Sequence, residues 1–126
     1  MTRERVTSAS SYEAAYGFSR AIKVGDRIEV AGTAPIPQDG SEAPEGPYDQ
    51  MMLCGRIAID AIEQLGGRVE DVVRTRVYIT SSIDAGEIGR AHGELFGSAR
   101  PAATMVVVKA LLDRRWKVEI EVEAVV

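Results

Sequence analysis

The sequence predicts a single α+β domain, a two-layer sandwich in which two helices cover one face of a mixed sheet. Two observations lead to this fold class. The spacing of apolar residues changes between a two-residue period and a helical period several times along the 126 residues. The resulting order is β-β-α-β-α-β-β, and two helices are too few to cover both faces of so wide a sheet. Because the length accommodates one hydrophobic core, residues 1–126 are expected to form one domain.

The predicted sheet begins with a hairpin. Residues 19–24 and 27–33 have the composition of strands, and Gly25-Asp26 between them is typical of a tight turn. Residues 35–47 hold four of the five prolines, so this segment is expected to be a surface loop.

Two amphipathic helices are predicted after the loop. Residues 48–65 carry apolar side chains on one helical stripe, and Gly66-Gly67 supplies a left-handed C-cap. The second helix is N-capped by Ser82 or Asp84 and ends at Gly97. Its apolar stripe consists of Ile88, Ala91, His92, Leu95 and Phe96.

Three further segments are predicted to be strands, at residues 72–80, 103–110 and 116–126. With the helices on one face, alternation leaves the other face of the sheet uncovered. We expect that face to carry a mixture of apolar and charged residues: Ala31, Arg74, Arg76, Tyr78, Ala103, Met105, Val107, Glu119 and Glu121. A broad mixed face that its own chain leaves uncovered is a candidate oligomer surface.

The composition excludes several classes of function. The chain has 15 basic and 19 acidic residues and a net charge of -4, which disfavours a nucleic-acid partner. One cysteine and one histidine exclude an internal disulfide framework, a cysteine-rich zinc site and a multi-histidine metal site. No apolar run is long enough to span a bilayer, and the N-terminus lacks the apolar segment of a secretory signal. We therefore expect a cytoplasmic protein with no membrane partner.

The single cysteine and the single histidine are both interpreted as structural. Cys54 lies on the apolar stripe of the first helix, where a thiol is buried and inert. His92 lies on the second helix, with no obvious acid beside it. The sequence contains no nucleophile elbow, phosphate loop or dinucleotide-binding glycine motif, so no cofactor is expected.

The acidic run on the last strand is the most informative polar feature. Glu119, Glu121 and Glu123 share one face, which is typical either of a solvated acidic surface or of a carboxylate placed for proton transfer. Arg74 and Arg76 are predicted on the same side of the sheet. A structural ion-pair network is therefore the alternative to a catalytic acid.

Four segments in this order carry a resemblance to a known family: VAGTAPI after the glycine-aspartate hairpin, then VEDVVRTRVYIT, RPAATMVVV and the closing VEIEVEAVV. The chain resembles the reactive intermediate deaminase (Rid) family, also called the YjgF family, from about residue 19 to residue 126. The resemblance implies a chorismate mutase-like fold and a homotrimer whose sheets pack into a central barrel. It also implies a cleft at each subunit interface that binds a small carboxylic acid. Family members hydrolyse reactive enamines and imines to a carbonyl product and ammonia, without a cofactor.

The resemblance further implies which residues form the cleft. Glu121, on the last strand, would be the catalytic carboxylate that orients water or shuttles its proton. The substrate-binding positions that it implies would be Phe18, Ala31, Ala103 and Met105. Gly32, Arg76 and Tyr78 are further candidates, since they are expected beside the same cleft.

Several of these positions depart from the deaminase pattern. Deaminating members hold the substrate carboxylate with an arginine where this chain has Ala103, and an alanine cannot bind a carboxylate. Met105 stands at a cysteine position, Ala31 at a serine position and Phe18 at a tyrosine position. The substrate is therefore not a simple 2-imino acid unless another cation replaces the arginine.

Two arginines are candidates for that replacement. Arg74 and Arg76 are predicted to project from the sheet face that includes the cleft, and Arg76 is the first candidate. The alternative is that Arg76 forms a structural ion pair with Glu119 or Glu121 across the interface.

Three functions remain open on the sequence. The first is a hydrolytic deaminase that acts on a non-standard imine or enamine. The second is a homotrimeric protein that binds a small ligand in the same cleft without chemistry. The third is a ribonuclease or translation inhibitor, which the acidic charge balance and the absence of a paired catalytic histidine disfavour.

Overall fold

The computed structural model describes residues 1–126 as six strands and three α-helices. Along the chain these are β1 (Arg3–Val6), α1 (Ser11–Tyr16), β2 (Ala21–Val24), β3 (Arg27–Thr33), α2 (Pro47–Gln64), β4 (Val72–Ile79), α3 (Ala85–Phe96), β5 (Ala102–Val107) and β6 (Val118–Val125). Short 3-10 turns at Val69–Asp71 and Ser82–Asp84 lead into β4 and α3. The predicted α+β class is confirmed.

The six strands form one mixed sheet in the order β1-β2-β3-β6-β4-β5. β4 and β5 are parallel and are connected through α3, whereas all other neighbouring strands are antiparallel. The core lies between this sheet and the pair formed by α2 and α3, and it includes Ile62, Phe96 and Ile120. Because alternate residues of β6 enter the core, its three glutamates project from the opposite face.

The first helix of the sequence prediction corresponds closely to α2. The helix begins at Pro47, where the missing N–H removes no helical hydrogen bond, and it runs for 18 residues to Gln64. Cys54 is fully buried on its apolar stripe, and this burial raises the pKa of the thiol. The interpretation of Cys54 as a core thiol is confirmed. None of the helices is long and apolar enough to cross a membrane.

Two elements at the N-terminus were not predicted from the sequence. β1 pairs antiparallel with β2, but only Val6 of its four residues is buried, so it shows no apolar alternation. α1 is only six residues long and has no apolar stripe. The Ser10 side chain accepts a hydrogen bond from the Tyr12 N–H at its start, and Gly17 ends it with a φ of 77°. These two caps are the signal that could have identified the helix.

The prediction for β5 was wrong about which side chains face the helices. The strand ends at Val107, and its parallel register pairs Ala103 with Thr75 and Met105 with Val77. Thr75 and Val77 are buried beneath the helices, so Ala103, Met105 and Val107 lie on the helix side and not on the open face.

The open face of β5 instead carries Ala102, Thr104 and Val106. Arg74 Nη2 donates a hydrogen bond to Thr104 Oγ1 at 3.0 Å, which places both side chains on that face. The sequence of β5 is almost continuously apolar, so alternation could not distinguish its two sides.

A bulge in β3 shapes the end of the sheet where the strand meets β6. Val30 pairs with Val122 and Thr33 with Ile120, so three steps along β3 match two steps along β6. The extra residue lies within the Ala31-Gly32 segment. A bulge changes the direction of the local side chains, and here it brings Gly32 against β6.

Candidate functional site

A pocket with a volume of about 70 Å³ lies where β3 ends and β6 begins. α1, the bulge in β3 and the turn that precedes β6 form its walls. The lining residues are Ser10, Tyr12, Tyr16, Phe18, Arg20, Gly32, Ala34, Ile36, Leu112, Trp116 and Glu119.

Aromatic side chains form much of the pocket wall. Tyr12 and Tyr16 are four residues apart on α1 and therefore project from the same side of the helix, with ring centroids 5.5 Å apart. Tyr12 meets Trp116 edge to face at 6.1 Å. Phe18 follows the Gly17 cap, and the Arg20 guanidinium lies 5.6 Å from its ring centroid.

A buried ion pair fixes α1 to the sheet. Arg20 Nη2 lies 3.2 Å from Glu13 Oε2, and both side chains are only 4% exposed. Arg20 Nη1 also donates to the Gly32 carbonyl at 2.5 Å and to Thr33 Oγ1 at 2.9 Å. The Ser8 N–H donates to Glu13 Oε1 at 3.0 Å. Since all three nitrogens of its guanidinium bind groups within the chain, Arg20 is not free to bind a ligand carboxylate.

Glu119 is the acidic residue of the pocket. Its side chain is half-buried, and no protein group donates a hydrogen bond to it or forms a salt bridge with it. Burial raises the pKa of Glu119, the charge of Arg20 opposes that shift, and the charge of Glu121 adds to it. A Cβ atom on Gly32 would occupy the same space as the Glu119 carboxylate.

The other two acids of β6 have partners on the open face of the sheet. The Tyr78 hydroxyl donates a hydrogen bond to Glu121, and this bond raises the pKa of Tyr78. Arg76 Nη1 lies 3.6 Å from Glu123 Oε2, and Arg27 Nη2 lies 3.8 Å from Glu123 Oε1. Within one chain, Arg76 therefore belongs to an ion pair, although with Glu123 rather than with the predicted partners.

The structure brings together only part of the predicted site. Phe18 and Gly32 line the pocket, and the Ala31 carbonyl beside them accepts a hydrogen bond from Thr33 Oγ1 at 2.8 Å. The remaining predicted residues lie outside it: Arg76 and Tyr78 on β4, Ala103 and Met105 on β5, and Glu121 on β6.

The lining residues that sequence reasoning did not assign to the site include its one carboxylate, Glu119, and three of its four aromatic residues, Tyr12, Tyr16 and Trp116. The two tyrosines could have been found from the caps of α1. Glu119 was recognised as part of the acidic run, but all three acids share one face. Only the pairing with neighbouring strands distinguishes them.

Comparisons with known proteins agree with the fold and the segment order. The family model described as Endoribonuclease L-PSP matches residues 8–126. An uncharacterized protein of Streptomyces coelicolor is 43% identical over 120 residues, which cover 95% of this chain and 90% of the relative. A 2-iminobutanoate/2-iminopropanoate deaminase of Dermatophagoides farinae is 29% identical over 105 residues, covering 82% of this chain and 81% of that one.

A solved structure extends the agreement to the backbone. The Mycobacterium tuberculosis protein Rv2704, described as a member of the YjgF/YER057c/UK114 family, superposes with a TM-score of 0.90. It is 37% identical, and the match covers 99% of this chain and 100% of Rv2704. The family model, the curated relatives and the shared backbone together establish that the chain belongs to the YjgF/Rid family, whose family model bears the name Endoribonuclease L-PSP.

Proposed function

We propose that this protein hydrolyses a small reactive imine or enamine to a carbonyl product and ammonia, with Glu119 as the catalytic carboxylate. The observation that carries the proposal is the half-buried Glu119 carboxylate, which has no protein partner and borders an aromatic pocket. A carboxylate whose pKa is raised toward neutral pH suits general acid–base work. The imine deaminase of Dermatophagoides farinae gives family support for this reaction.

The proposed reaction needs one group that moves protons. An enamine first becomes its imine through proton transfer from nitrogen to carbon. The ionised Glu119 then accepts a proton from water while the water oxygen bonds to the imine carbon. This proton passes to the imine nitrogen and gives a carbinolamine. Glu119 then moves a second proton, from the carbinolamine hydroxyl to the nitrogen, as the C–N bond breaks with its electron pair leaving on nitrogen, and the carbonyl product and ammonia depart. Such a general base contributes about 10²–10⁴-fold in rate.

We assign this role to Glu119 rather than to Glu121, the residue that the sequence favoured. Glu121 accepts a hydrogen bond from the Tyr78 hydroxyl and does not line the pocket. A carboxylate with an intramolecular donor has less capacity to accept a proton from water than one without.

Ammonia release from 2-aminoacrylate and from other small imines tests the assignment. We expect Glu119→Gln to lose about 10²-fold or more in kcat/KM, and Glu121→Gln to lose less than about tenfold. The reverse order would return the role to Glu121. Wild-type rates equal to the uncatalysed rate on every imine would overturn the proposed function.

We also propose that the active form is a homotrimer in which neighbouring chains cover β5 and the open face of the sheet. β5 is an edge strand, and Val106 and Val107 on it are 43% and 55% exposed. Exposed apolar edges favour association. In such a trimer, Ala103 and Met105 of one subunit would line the pocket of the neighbouring subunit, as the cleft at the subunit interface in the family resemblance implies.

Light scattering in solution tests the assembly. We expect three times the chain mass of 13.6 kDa. Val106→Glu should shift the mass toward the monomer, because it places a charge on the apolar edge. A monomeric wild type would contradict the homotrimer.

The alternative is a small-ligand-binding protein that performs no chemistry. The ion pair between Arg20 and Glu13 favours this alternative. Because Arg20 is paired, the pocket has no cation from its own chain that could bind the carboxylate of a 2-imino acid. Binding of a small ligand without turnover of any imine would favour this alternative.

We do not propose ribonuclease activity, despite the name of the family model. The chain has a net charge of -4, and its one histidine lies on α3, outside the pocket. His92 Nε2 contacts Thr75 Oγ1 at 2.8 Å, and burial lowers the pKa of the ring. Both properties are those of a structural histidine.

A further inference from the structure

The charges around the pocket do not match the substrates usually expected of an imine deaminase. The only cation of the lining, Arg20, is neutralised by Glu13. Glu119 is then the one uncompensated charge, and Glu121 on the same strand face adds negative potential. Within one chain, a ligand carboxylate in this pocket would meet the Glu119 carboxylate and no free cation. Such a like-charge contact costs binding energy and acts against anionic ligands.

The aromatic wall favours the opposite charge. Rings of Tyr12, Tyr16, Phe18 and Trp116 border the same space as Glu119. The face of an aromatic ring attracts a cation placed within about 6 Å, by about 0.5–1 kcal/mol at exposed sites and more in desolvated ones. An N–H group on that cation would also donate the hydrogen bond that Glu119 lacks.

We propose that the pocket binds small organic cations, and that the substrates are protonated imines that carry no carboxylate group. The nitrogen donates to Glu119 and its positive charge lies against the tyrosine and tryptophan rings. The assignment of protonated imines as substrates rests on the proposed imine hydrolysis, whereas the binding of small organic cations does not. Hydrolysis converts the iminium ion and one water into a carbonyl compound and an ammonium ion, so charge and atoms balance.

Two matched ligands test the ligand class directly. Propylamine, which is an ammonium ion at pH 7, and butanoate have similar size and opposite charge. We expect propylammonium to bind at least about tenfold more tightly than butanoate in NMR titrations of the purified protein. Equal binding, or tighter binding of butanoate, would overturn the proposal.

Variants locate the binding in the pocket. Glu119→Gln keeps the shape of the side chain and removes its charge. It should weaken the binding of propylammonium at least about tenfold. Glu123→Gln is the matched control, since Glu123 lies on the same strand face but outside the pocket. Tyr16 is 69% exposed, so Tyr16→Leu spares the core and should weaken binding about two- to fivefold. Equal losses in Glu119→Gln and Glu123→Gln would contradict a site at Glu119.

Turnover rates of two matched imines distinguish the proposed substrate class from the proposed reaction. The imines formed in situ by flavin oxidation of propylamine and of 2-aminobutanoate differ only in the carboxylate. We expect the propylamine imine to have the higher kcat/KM. Faster hydrolysis of 2-iminobutanoate would overturn the substrate class and leave the proposed reaction standing. Propylammonium binding without turnover of either imine would remove the proposed reaction and leave the ligand class standing.

Discussion

The carboxylate of Glu119 occupies the space that a Cβ atom on Gly32 would fill. The bulge in β3 turns Gly32 toward β6, and the absence of a side chain at that position lets the acid lie beside the pocket. A glycine is therefore required here for close approach and not for an unusual φ angle.

Gly32→Ala should displace Glu119 without unfolding the protein. The atom in the way is the far end of a flexible side chain, so it can rotate at little cost. We expect at least a tenfold loss of propylammonium binding, roughly the loss in Glu119→Gln, because both changes remove the same charge from the pocket. The NMR titration described above measures this.

The matched control is Gly86→Ala on α3, where an added Cβ meets no atom within 4 Å. It should bind propylammonium as the wild type does. Wild-type affinity in Gly32→Ala would show that the position of Glu119 does not depend on this glycine.

Glu119→Gln should stabilise the protein at neutral pH. Burial raises the pKa of Glu119 above its ordinary value of 4.5, so between these two pKa values the folded state binds more protons than the unfolded state. The contribution of Glu119 to the free energy of unfolding therefore falls as the pH rises from 4.5 through the folded-state pKa. Because the carboxylate keeps part of its contact with water, we expect a gain of only about 0.5 kcal/mol.

Urea denaturation of both proteins at several pH values checks this sign. The difference in the free energy of unfolding should be absent below pH 4.5 and should favour the glutamine variant at pH 7. A variant that is less stable at pH 7 would mean that the ionised Glu119 has a favourable partner in solution.

The ion pair between Glu13 and Arg20 should behave as a coupled unit. Both side chains are buried, so Glu13→Leu or Arg20→Met alone leaves an unpaired charge and should cost about 3–5 kcal/mol. The double variant should lose about 2 kcal/mol less than the sum of the two single losses. A double-mutant cycle from denaturation curves measures the coupling, and additive losses would contradict it.

Arg100 has a strained backbone that glycine would relieve. Its φ of 48° lies in the left-handed region, and its N–H donates to the Phe96 carbonyl at 3.0 Å beyond the end of α3. Arg100→Gly should stabilise the protein by about 0.5–1 kcal/mol, since glycine adopts this conformation without the Cβ clash. Arg100→Ala retains the clash and serves as the control in thermal unfolding. Equal changes in both variants would attribute the effect to the arginine side chain.

The sequence by itself determined most of the architecture. Period-two and helical spacing located β2, β3, β4, β6 and both long helices, because burial on one face leaves a local pattern in the chain. The same logic placed Cys54 in the core. It also located β5, but it could not assign the two faces of that strand because its apolar residues do not alternate. It missed the short helix α1, which has no apolar stripe.

Only the tertiary structure decided which carboxylate belongs to the pocket. Glu119, Glu121 and Glu123 are equivalent in any period-two pattern, since residues two apart face the same side of a strand. The neighbouring strands make them different: Tyr78 holds Glu121, Arg76 pairs with Glu123, and Gly32 leaves space for Glu119. Strand register is set by long-range pairing and by the bulge in β3, and neither is written in the local sequence of β6.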